Sequence, residues 1–197
     1  RSYYPSVLRT AAEALSKADA SWAQVAGIGI TCQRETTVLW DRKSGEPVAN
    51  AVVWMCRRSA EICEDLKKRG YEEMVREKTG LFIDPYFSAT KIAWLLDNVP
   101  DLRVRAEAGQ ICMGTVDSWL IWQMSAGEHH VTDFSNASRT MLLNIHKLDW
   151  DDELLDALRI PRSILPELKP SSGILAYTAK GAFGARIPIA GDAGDQH

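Results

Sequence analysis

The sequence predicts an α/β domain with a mixed sheet and helices packed against it. Short apolar runs typical of buried strands, such as "VAGIGIT" and "QICMG", alternate with segments whose apolar residues recur at helical spacing. Strands and helices in alternation fold as a sheet with helices on its faces. A chain of 197 residues, 46% of them hydrophobic, is long enough to bury a core within one domain.

The first two predicted elements are a helix and a strand. Residues 1–20 predict an amphipathic helix in which Val7, Leu8 and Leu15 share one face, and they lack the apolar run of a signal peptide. The strand "VAGIGIT" follows and ends shortly before Arg34. Open α/β sheets bind ligands beyond the carboxyl ends of their strands, so the segment "QRE" lies where a ligand is expected.

A hairpin and three helices are predicted next. The segment "TTVLWDRKSGEPVANAVVW" predicts two strands around a turn at residues 43–45, and the second strand ends at Trp54. "RRSAEICEDLKKRG" predicts a helix that Gly70 terminates, and a further helical stretch covers residues 71–78. "SATKIAWLLDNV" predicts a helix with Ser88 as its N-cap.

The rest of the chain is predicted to contain a strand, two helices and a β-rich tail. "QICMG" predicts the strand, and "TVDSWLIWQMSAG" predicts a helix too apolar to lie on the surface. Asp149 is the predicted N-cap of the second helix, because the acidic residues 151–153 then fall in a first turn that favours negative charge. We interpret this acidic run as structural and not as metal ligands. Residues 172–189 predict strands and turns.

Composition excludes several classes of function. The net charge of −3 comes from 23 basic and 26 acidic residues of interleaved sign, so no nucleic-acid partner is expected. No apolar stretch reaches the roughly 18 residues that a membrane span needs. Four cysteines are spread singly, without the close pairs of a zinc site: Cys32, Cys56, Cys63 and Cys112. We therefore expect reduced thiols, a cytoplasmic protein and no metal site within this chain.

The candidate functional residues lie at predicted strand ends and in loops. The sequence lacks the phosphate-binding P-loop, the dinucleotide fingerprint, HExxH and GxSxG. The polar and aromatic residues at such positions are Gln33, Arg34, Glu35, Trp54, Tyr86, Asp195 and Gln196. An arginine beside a carboxylate offers both donors and acceptors, which suits a polyhydroxylated substrate.

These candidates also have structural interpretations, and the residues alone leave both open. Arg34 and Glu35 are either a surface ion pair or a site for hydroxyl groups. Trp54 and Tyr86 are either core aromatics or an apolar wall over a carbon chain. Asp195, in a glycine-rich turn after an apolar run, either stabilises that turn or acts as a general base.

Seven segments taken together resemble the N-terminal domain of glycerol kinases, which are members of the FGGY carbohydrate kinases. They are "GIGITCQRETTVLWD", "NAVVWMCRR", "KTGLFIDPYFSATK", "GTVDSWLIW", "TDFSNASRTMLLNIHKLDWDDELL", "IPRSILPEL" and "RIPIAGDAGDQ". The resemblance spans essentially the whole chain and implies a ribonuclease-H-like, actin-like fold. It further implies that residues 1–197 are most of the polyol-binding domain, with opening strands expected before residue 1 and an ATP-binding C-terminal domain expected after His197.

The resemblance also implies a reaction, the ATP-dependent phosphorylation of glycerol to glycerol 3-phosphate. Asp195 matches the catalytic base, and it also lies at the substrate. The other residues that match substrate-binding positions are Arg34, Glu35, Trp54, Tyr86 and Gln196. ATP and magnesium are the implied cofactors, bound mainly by parts outside this chain, so the chain alone is expected to be inactive. The expected partners are glycerol, the ATP-binding domain and a second copy of the chain, which would pair with an open sheet edge.

The sequence departs from the glycerol kinase pattern at several positions. Met55 and His197 each replace a usual glutamine, and Phe134 replaces a common tyrosine. The segment "AKGAFGAR" differs from the loop that binds an inhibitory sugar bisphosphate in some relatives, so that regulation is not predicted. Two alternatives stay open: a kinase of the same family for another polyol or a pentulose, and a non-catalytic module that binds polyols or a partner.

Overall fold

A computed structural model describes residues 3–197, which contain both helices and strands. The helices are α1 (Tyr3–Lys17), α2 (Ala60–Lys68), α3 (Glu72–Thr79), α4 (Ser88–Asn98), α5 (Leu102–Glu107), α6 (Val116–Met124), α7 (Phe134–Ala137), α8 (Asp152–Leu158) and α9 (Lys180–Phe183). The strands are β1 (Ile28–Cys32), β2 (Val38–Asp41), β3 (Ile111–Gly114), β4 (Val131–Asp133), β5 (Leu143–Asn144), β6 (Asp149–Trp150), β7 (Glu167–Lys169), β8 (Ser172–Tyr177) and β9 (Pro188–Gly194).

The sheet that positions the candidate site has the strand order β1–β9–β8. β1 runs parallel to β9, with Cys32 opposite Gly194, while β8 runs antiparallel to β9. The predicted α/β class with a mixed sheet is therefore confirmed. Because parallel strands end at the same edge of a sheet, the residues that follow Cys32 and Gly194 emerge side by side.

Shorter strand pairs surround this sheet. β2 pairs antiparallel with β3, β4 pairs parallel with β7, and β5 pairs antiparallel with β6. β4 ends at Asp133, which caps α7 by accepting hydrogen bonds from the backbone N–H groups of Ser135 and Asn136. The pair β4–β7 thus fixes the start of α7, the short helix that later contacts β9.

Two apolar clusters hold these elements together. The larger includes Ile92 of α4, Met113 of β3 and Leu155 of α8, all at most 3% exposed. The second joins β1, β9 and α6 and includes the fully buried Trp40 and Ile189. Burying one large aliphatic or aromatic side chain contributes roughly 1.5–3 kcal/mol to folding, so these clusters set the relative positions of the strands.

The predicted hairpin is only partly formed. Its first arm is β2, but the second arm pairs with it at two isolated bridges, Trp40 with Pro47 and Thr37 with Val52. Proline has no backbone N–H to donate, so Pro47 interrupts a continuous ladder. Trp54, the predicted end of the second strand, lies instead in a turn.

Two predicted helix caps are wrong by one or two residues. Ser88 is the first residue of α4, and the N-cap position belongs to Phe87. Asp149 lies in β6, where Arg162 donates two hydrogen bonds to it, and the N-cap of α8 is Asp151. The Asp151 carboxylate accepts from the N–H of Leu154, so this residue of the acidic run has a structural role.

Residues 3–197 contain four cysteines and nine helices, which bear on the predictions about thiols and membrane spans. Cys32, Cys63 and Cys112 are buried, Cys56 is half-buried, and all four are free thiols. Among the described residues, none of the helices combines the length and the apolar character that crossing a bilayer requires.

Candidate active site

Arg34 and Asp195 meet at the edge where β1 and β9 end. The N–H of Asp195 donates to the carbonyl of Cys32 at 3.0 Å, which continues the strand pairing by one residue. The Nε of Arg34 lies 3.8 Å from Oδ1 of Asp195. The Asp195 side chain is 45% exposed and that of Arg34 only 11%, so the carboxylate is accessible while the cation beside it is largely covered.

Gly194 makes room for Arg34. A Cβ atom at position 194 would lie 2.5 Å from Cγ of Arg34 and closer still to its Cδ, which no packed side chain tolerates. The Arg34 stem therefore rests directly against the bare backbone of β9. The N–H of Gly194 donates to Oγ of Ser135 at 2.9 Å, which ties the end of β9 to α7.

Glu35 is 3% exposed and bonds a partner other than Arg34. Its Oε1 accepts a hydrogen bond from Nε of Arg139 at 2.8 Å. Its backbone carbonyl accepts from the hydroxyls of Thr37 and Ser88, both at 3.4 Å. The interpretation of Arg34 and Glu35 as a surface ion pair is therefore wrong, since each of the two has a different partner.

Trp54 and Tyr86 form one aromatic surface. Their ring centres are 5.8 Å apart in an edge-to-face arrangement, and Trp54 is 40% exposed. Tyr86 packs in the same way against Phe87, at 5.4 Å. Trp54 is thus not a core aromatic, and its exposed face is available to an apolar part of a ligand.

A buried lysine holds the backbone of Tyr86. Nζ of Lys91 donates to the carbonyl of Tyr86 at 2.5 Å, and the side chain of Asp84 accepts from the Tyr86 N–H at 2.8 Å. Lys91 has no exposed surface. Burial lowers the pKa of Lys91 to about 8, and the nearby charge of Glu35 opposes this shift. The sequence did not identify Lys91 as a site residue. The helical pattern of α4 does not depend on which residue occupies position 91, so nothing marks this lysine as buried.

The structure therefore divides the predicted site residues into two groups. Arg34, Asp195 and the exposed Gln196 lie at the ends of β1 and β9. Glu35 and Tyr86 lie beside Arg139, whose guanidinium carbon is 5.9 Å from the centre of the Tyr86 ring, and Trp54 packs on the Tyr86 ring. The adjacency of Arg34 and Glu35 in the chain joins the two groups. Arg139 is a residue that sequence reasoning missed, since it stands in a turn without a recognisable pattern.

Three buried aspartates form a cluster beneath this edge: Asp117, Asp133 and Asp192 offer carboxylate oxygens that lie within 4.8 Å of one another. Side-chain and backbone donors already occupy two of these carboxylates. Asp117 accepts from the hydroxyls of Thr115 and Thr132, and Asp133 accepts from Ser135, Asn136 and Ser171. Magnesium demands a near-octahedral shell and usually keeps several waters, so this buried cluster, in which two of the three carboxylates already accept hydrogen bonds from the protein, does not fit it.

Asp192 is the member of the cluster that lacks full hydrogen bonding. Its Oδ2 is buried and has no hydrogen-bond partner among the described residues. Burial and the charges of Asp117 and Asp133 raise the pKa of Asp192 to about 10. Burial likewise raises the pKa of Asp117, so the proton of this interacting pair is shared between Asp192 and Asp117. The cluster is a network that holds a proton.

Asp192→Asn is expected to stabilise the fold at neutral pH by ~1–3 kcal/mol, which corresponds to a rise of several degrees in Tm. The folded chain holds on the pair of Asp192 and Asp117 a proton that the unfolded chain releases above about pH 4, whereas asparagine needs no proton. The stability of the unsubstituted chain should fall as the pH rises from about 4 towards the folded pKa of about 10. Thermal unfolding between pH 5 and 9 measures both effects.

The advantage of Asp192→Asn should widen with rising pH. Asp156→Asn is the matched control, because Asp156 is exposed on α8. A substituted chain that is less stable than the parent at every pH would contradict a protonated Asp192.

Comparisons with known proteins bear on what this arrangement does. The sequence-family model "FGGY family of carbohydrate kinases, N-terminal domain" matches residues 2–197 of the chain. The chain is 58% identical over 193 residues to glycerol kinase 2 of Thermotoga maritima and 61% identical over 192 residues to the glycerol kinase of Bacillus licheniformis. These alignments cover 98% and 97% of the chain but only 39% of each relative, so the chain spans about two fifths of their length.

Solved structures agree with the family match. A glycerol kinase of Plasmodium falciparum with ADP superposes with a TM-score of 0.83 at 36% identity, over 86% of this chain and 34% of that one. A xylulose kinase of Lactobacillus acidophilus superposes with a TM-score of 0.81 at 22% identity, over 96% of this chain and 38% of that one, which shows the fold alone. The predicted ribonuclease-H-like, actin-like fold and the resemblance to glycerol kinases are confirmed, and the chain belongs to the FGGY family of carbohydrate kinases.

Proposed function

We propose that the protein containing this chain transfers the γ-phosphoryl group of ATP to glycerol and forms glycerol 3-phosphate. Residues 1–197 supply most of the polyol-binding domain. The proposal rests on one observation above all: parallel pairing of β1 and β9 brings a covered Arg34 to 3.8 Å from an accessible Asp195. The similarity to glycerol kinases supports the choice of glycerol.

Asp195 is the general base of the proposed reaction. Its carboxylate stands at the open end of β9, where it accepts the proton of a glycerol hydroxyl as that oxygen attacks the γ-phosphorus in line. A general base of this kind contributes typically ~10²–10⁴-fold to the rate. Gln196, exposed in the same turn, lies beside the substrate.

The other candidates bind the polyol. Arg34 and Glu35 supply a charged donor and a charged acceptor for hydroxyl groups, and Tyr86 supplies a phenolic hydroxyl. A hydrogen bond to a charged group contributes roughly 1.5–3 kcal/mol, so Arg34 carries much of the affinity. Trp54 covers the carbon chain with its exposed ring.

ATP and magnesium belong to the proposal as cofactors bound mainly outside this chain. Magnesium, when bound, neutralises charge on the phosphates of the nucleotide. Within residues 3–197 the closely spaced aspartates are buried, and protein donors already occupy Asp117 and Asp133, so no magnesium ligand is assigned to them. The free thiols support a cytoplasmic location. We further propose that this chain contacts an ATP-binding domain and that the protein forms a homo-oligomer through an open edge of the sheet.

One observation favours an alternative substrate of the same class. Met55 is 63% exposed beside Trp54, so the wall of the polyol site has a flexible, apolar neighbour. A longer polyol or a pentulose would contact it. Comparing initial rates of the full-length protein on glycerol, erythritol and xylulose separates these substrates. A non-catalytic polyol-binding module is excluded if any of them is phosphorylated.

The proposal is tested first by calorimetric titration of this chain. Glycerol should bind and magnesium-ATP should not, and Arg34→Ala should weaken glycerol binding at least tenfold, because a charged donor is lost. Arg76→Ala is the matched control, since Arg76 is exposed on α3. If the chain alone binds no glycerol, the same titration is made on the full-length protein. Failure of that protein to phosphorylate glycerol with ATP would overturn the proposal.

A further inference from the structure

Arg139 connects residues of the polyol site that are far apart in the sequence. Its Nε donates to Oε1 of Glu35 at 2.8 Å. Its guanidinium carbon lies 5.0 Å from the centre of the Phe87 ring and 5.9 Å from that of Tyr86. One side chain therefore contacts both the acidic and the aromatic part of the site, although it comes from the turn after α7.

The chemistry of arginine suits this place better than that of lysine. The guanidinium is planar and permanently charged, so it can lie over a ring and bond a carboxylate in the same geometry. Glu35 is 3% exposed, and a carboxylate so far removed from solvent requires a fixed cationic partner. The bond from Arg139 engages Oε1 and leaves Oε2 as an acceptor.

We propose that Arg139 is a positioning residue of the polyol site. It orients the Glu35 carboxylate so that Oε2 accepts a hydrogen bond from a substrate hydroxyl, and it fixes the Tyr86 ring beside that hydroxyl. This inference rests on the proposed function, and it assigns to Arg139 no contact with the reacting atoms. Arg139 thereby determines affinity for the polyol, while Asp195 determines the rate of phosphoryl transfer.

The experiment is a kinetic comparison of full-length protein and variants, with glycerol varied at saturating magnesium-ATP. Arg139→Met should raise the KM for glycerol about 10–100-fold, because a charge-assisted orientation is lost, while kcat stays within about threefold. Arg139→Lys should recover part of the loss, since it keeps the charge without the planar group. Arg76→Met, on the exposed face of α3, is the control and should leave both constants unchanged.

A double-mutant cycle shows whether Arg139 acts through Glu35. The double variant Glu35→Gln with Arg139→Met should raise KM little more than the larger single effect, because both changes remove the same interaction. Multiplicative effects would overturn the inference, and so would an unchanged KM in Arg139→Met. If Arg139→Met does not fold, the KM of Arg139→Lys for glycerol tests the inference in its place, and an unchanged KM would overturn it. A parent protein that phosphorylates no polyol would overturn the proposed function, and this role with it.

Discussion

Asp195→Asn should lower kcat for glycerol phosphorylation by about 10²–10⁴-fold in the full-length protein, with a much smaller change in the KM for glycerol. The amide keeps the size and hydrogen-bonding reach of the carboxylate but cannot take the proton of the attacking hydroxyl. Its loss therefore acts on the transition state more than on the bound substrate. Initial rates with glycerol varied at saturating magnesium-ATP measure the two constants separately.

Asp156→Asn provides the matched control for this variant, because it makes the same chemical change at an exposed position of α8. It should leave kcat and KM within twofold of the parent. If Asp195→Asn kept kcat within a few-fold of the parent, another group would have to accept the proton, and the assignment of Asp195 would fail.

Gly194→Ala should weaken glycerol binding at least tenfold, although the substitution adds only one methyl group. The new Cβ would lie 2.5 Å from Cγ of Arg34 and closer still to its Cδ, so the arginine must leave its position against β9. The guanidinium then no longer faces Asp195, and the contribution of a charge-assisted hydrogen bond, roughly 1.5–3 kcal/mol, is lost. Calorimetric titration with glycerol measures the loss.

Gly191→Ala is the control for Gly194→Ala on the same strand. A Cβ at position 191 would meet its nearest atoms at 3.8 and 4.0 Å, which is ordinary van der Waals contact, so binding should be unchanged. The clash at position 194 also predicts a rescue of stability: Arg34→Ala should restore the Tm that Gly194→Ala lowers, because the obstructing side chain is gone. Equal binding by Gly191→Ala and Gly194→Ala would contradict the role of the bare backbone.

The sequence predicted the elements with strong local patterns and missed those without. β1, α2, α4 and α6 were found because apolar runs, helical spacing and glycine stops mark them. β4, β5, β6 and β7 have only two or three residues, which is too short to show a period. The cap of α8 was misplaced because Asp149 and Asp151 are the same residue type two positions apart, and only the register of β6 distinguishes them.

Contacts made by tertiary structure were not predictable in the same way. Their places at predicted strand ends and in loops made Arg34 and Asp195 candidates, the resemblance to a family gave them roles, and strand order explains why they meet. Asp117, Asp133 and Asp192 come together from three separate elements with no shared spacing. Arg139 reaches Glu35 across 104 positions of the chain, so no local pattern could have revealed the pair. Such partnerships depend on which strand lies beside which.

The bond from Gly194 to Ser135 has a consequence for how the chain tolerates change. Residues 135–139 contact both parts of the site: Ser135 binds the end of β9 and Arg139 binds Glu35. These five residues therefore set the distance between Asp195 and Glu35. The turn at residues 43–45 and the loop at residues 99–101 lie outside this stretch. Insertions there can alter the outline of the protein while the spacing of its polyol site stays the same.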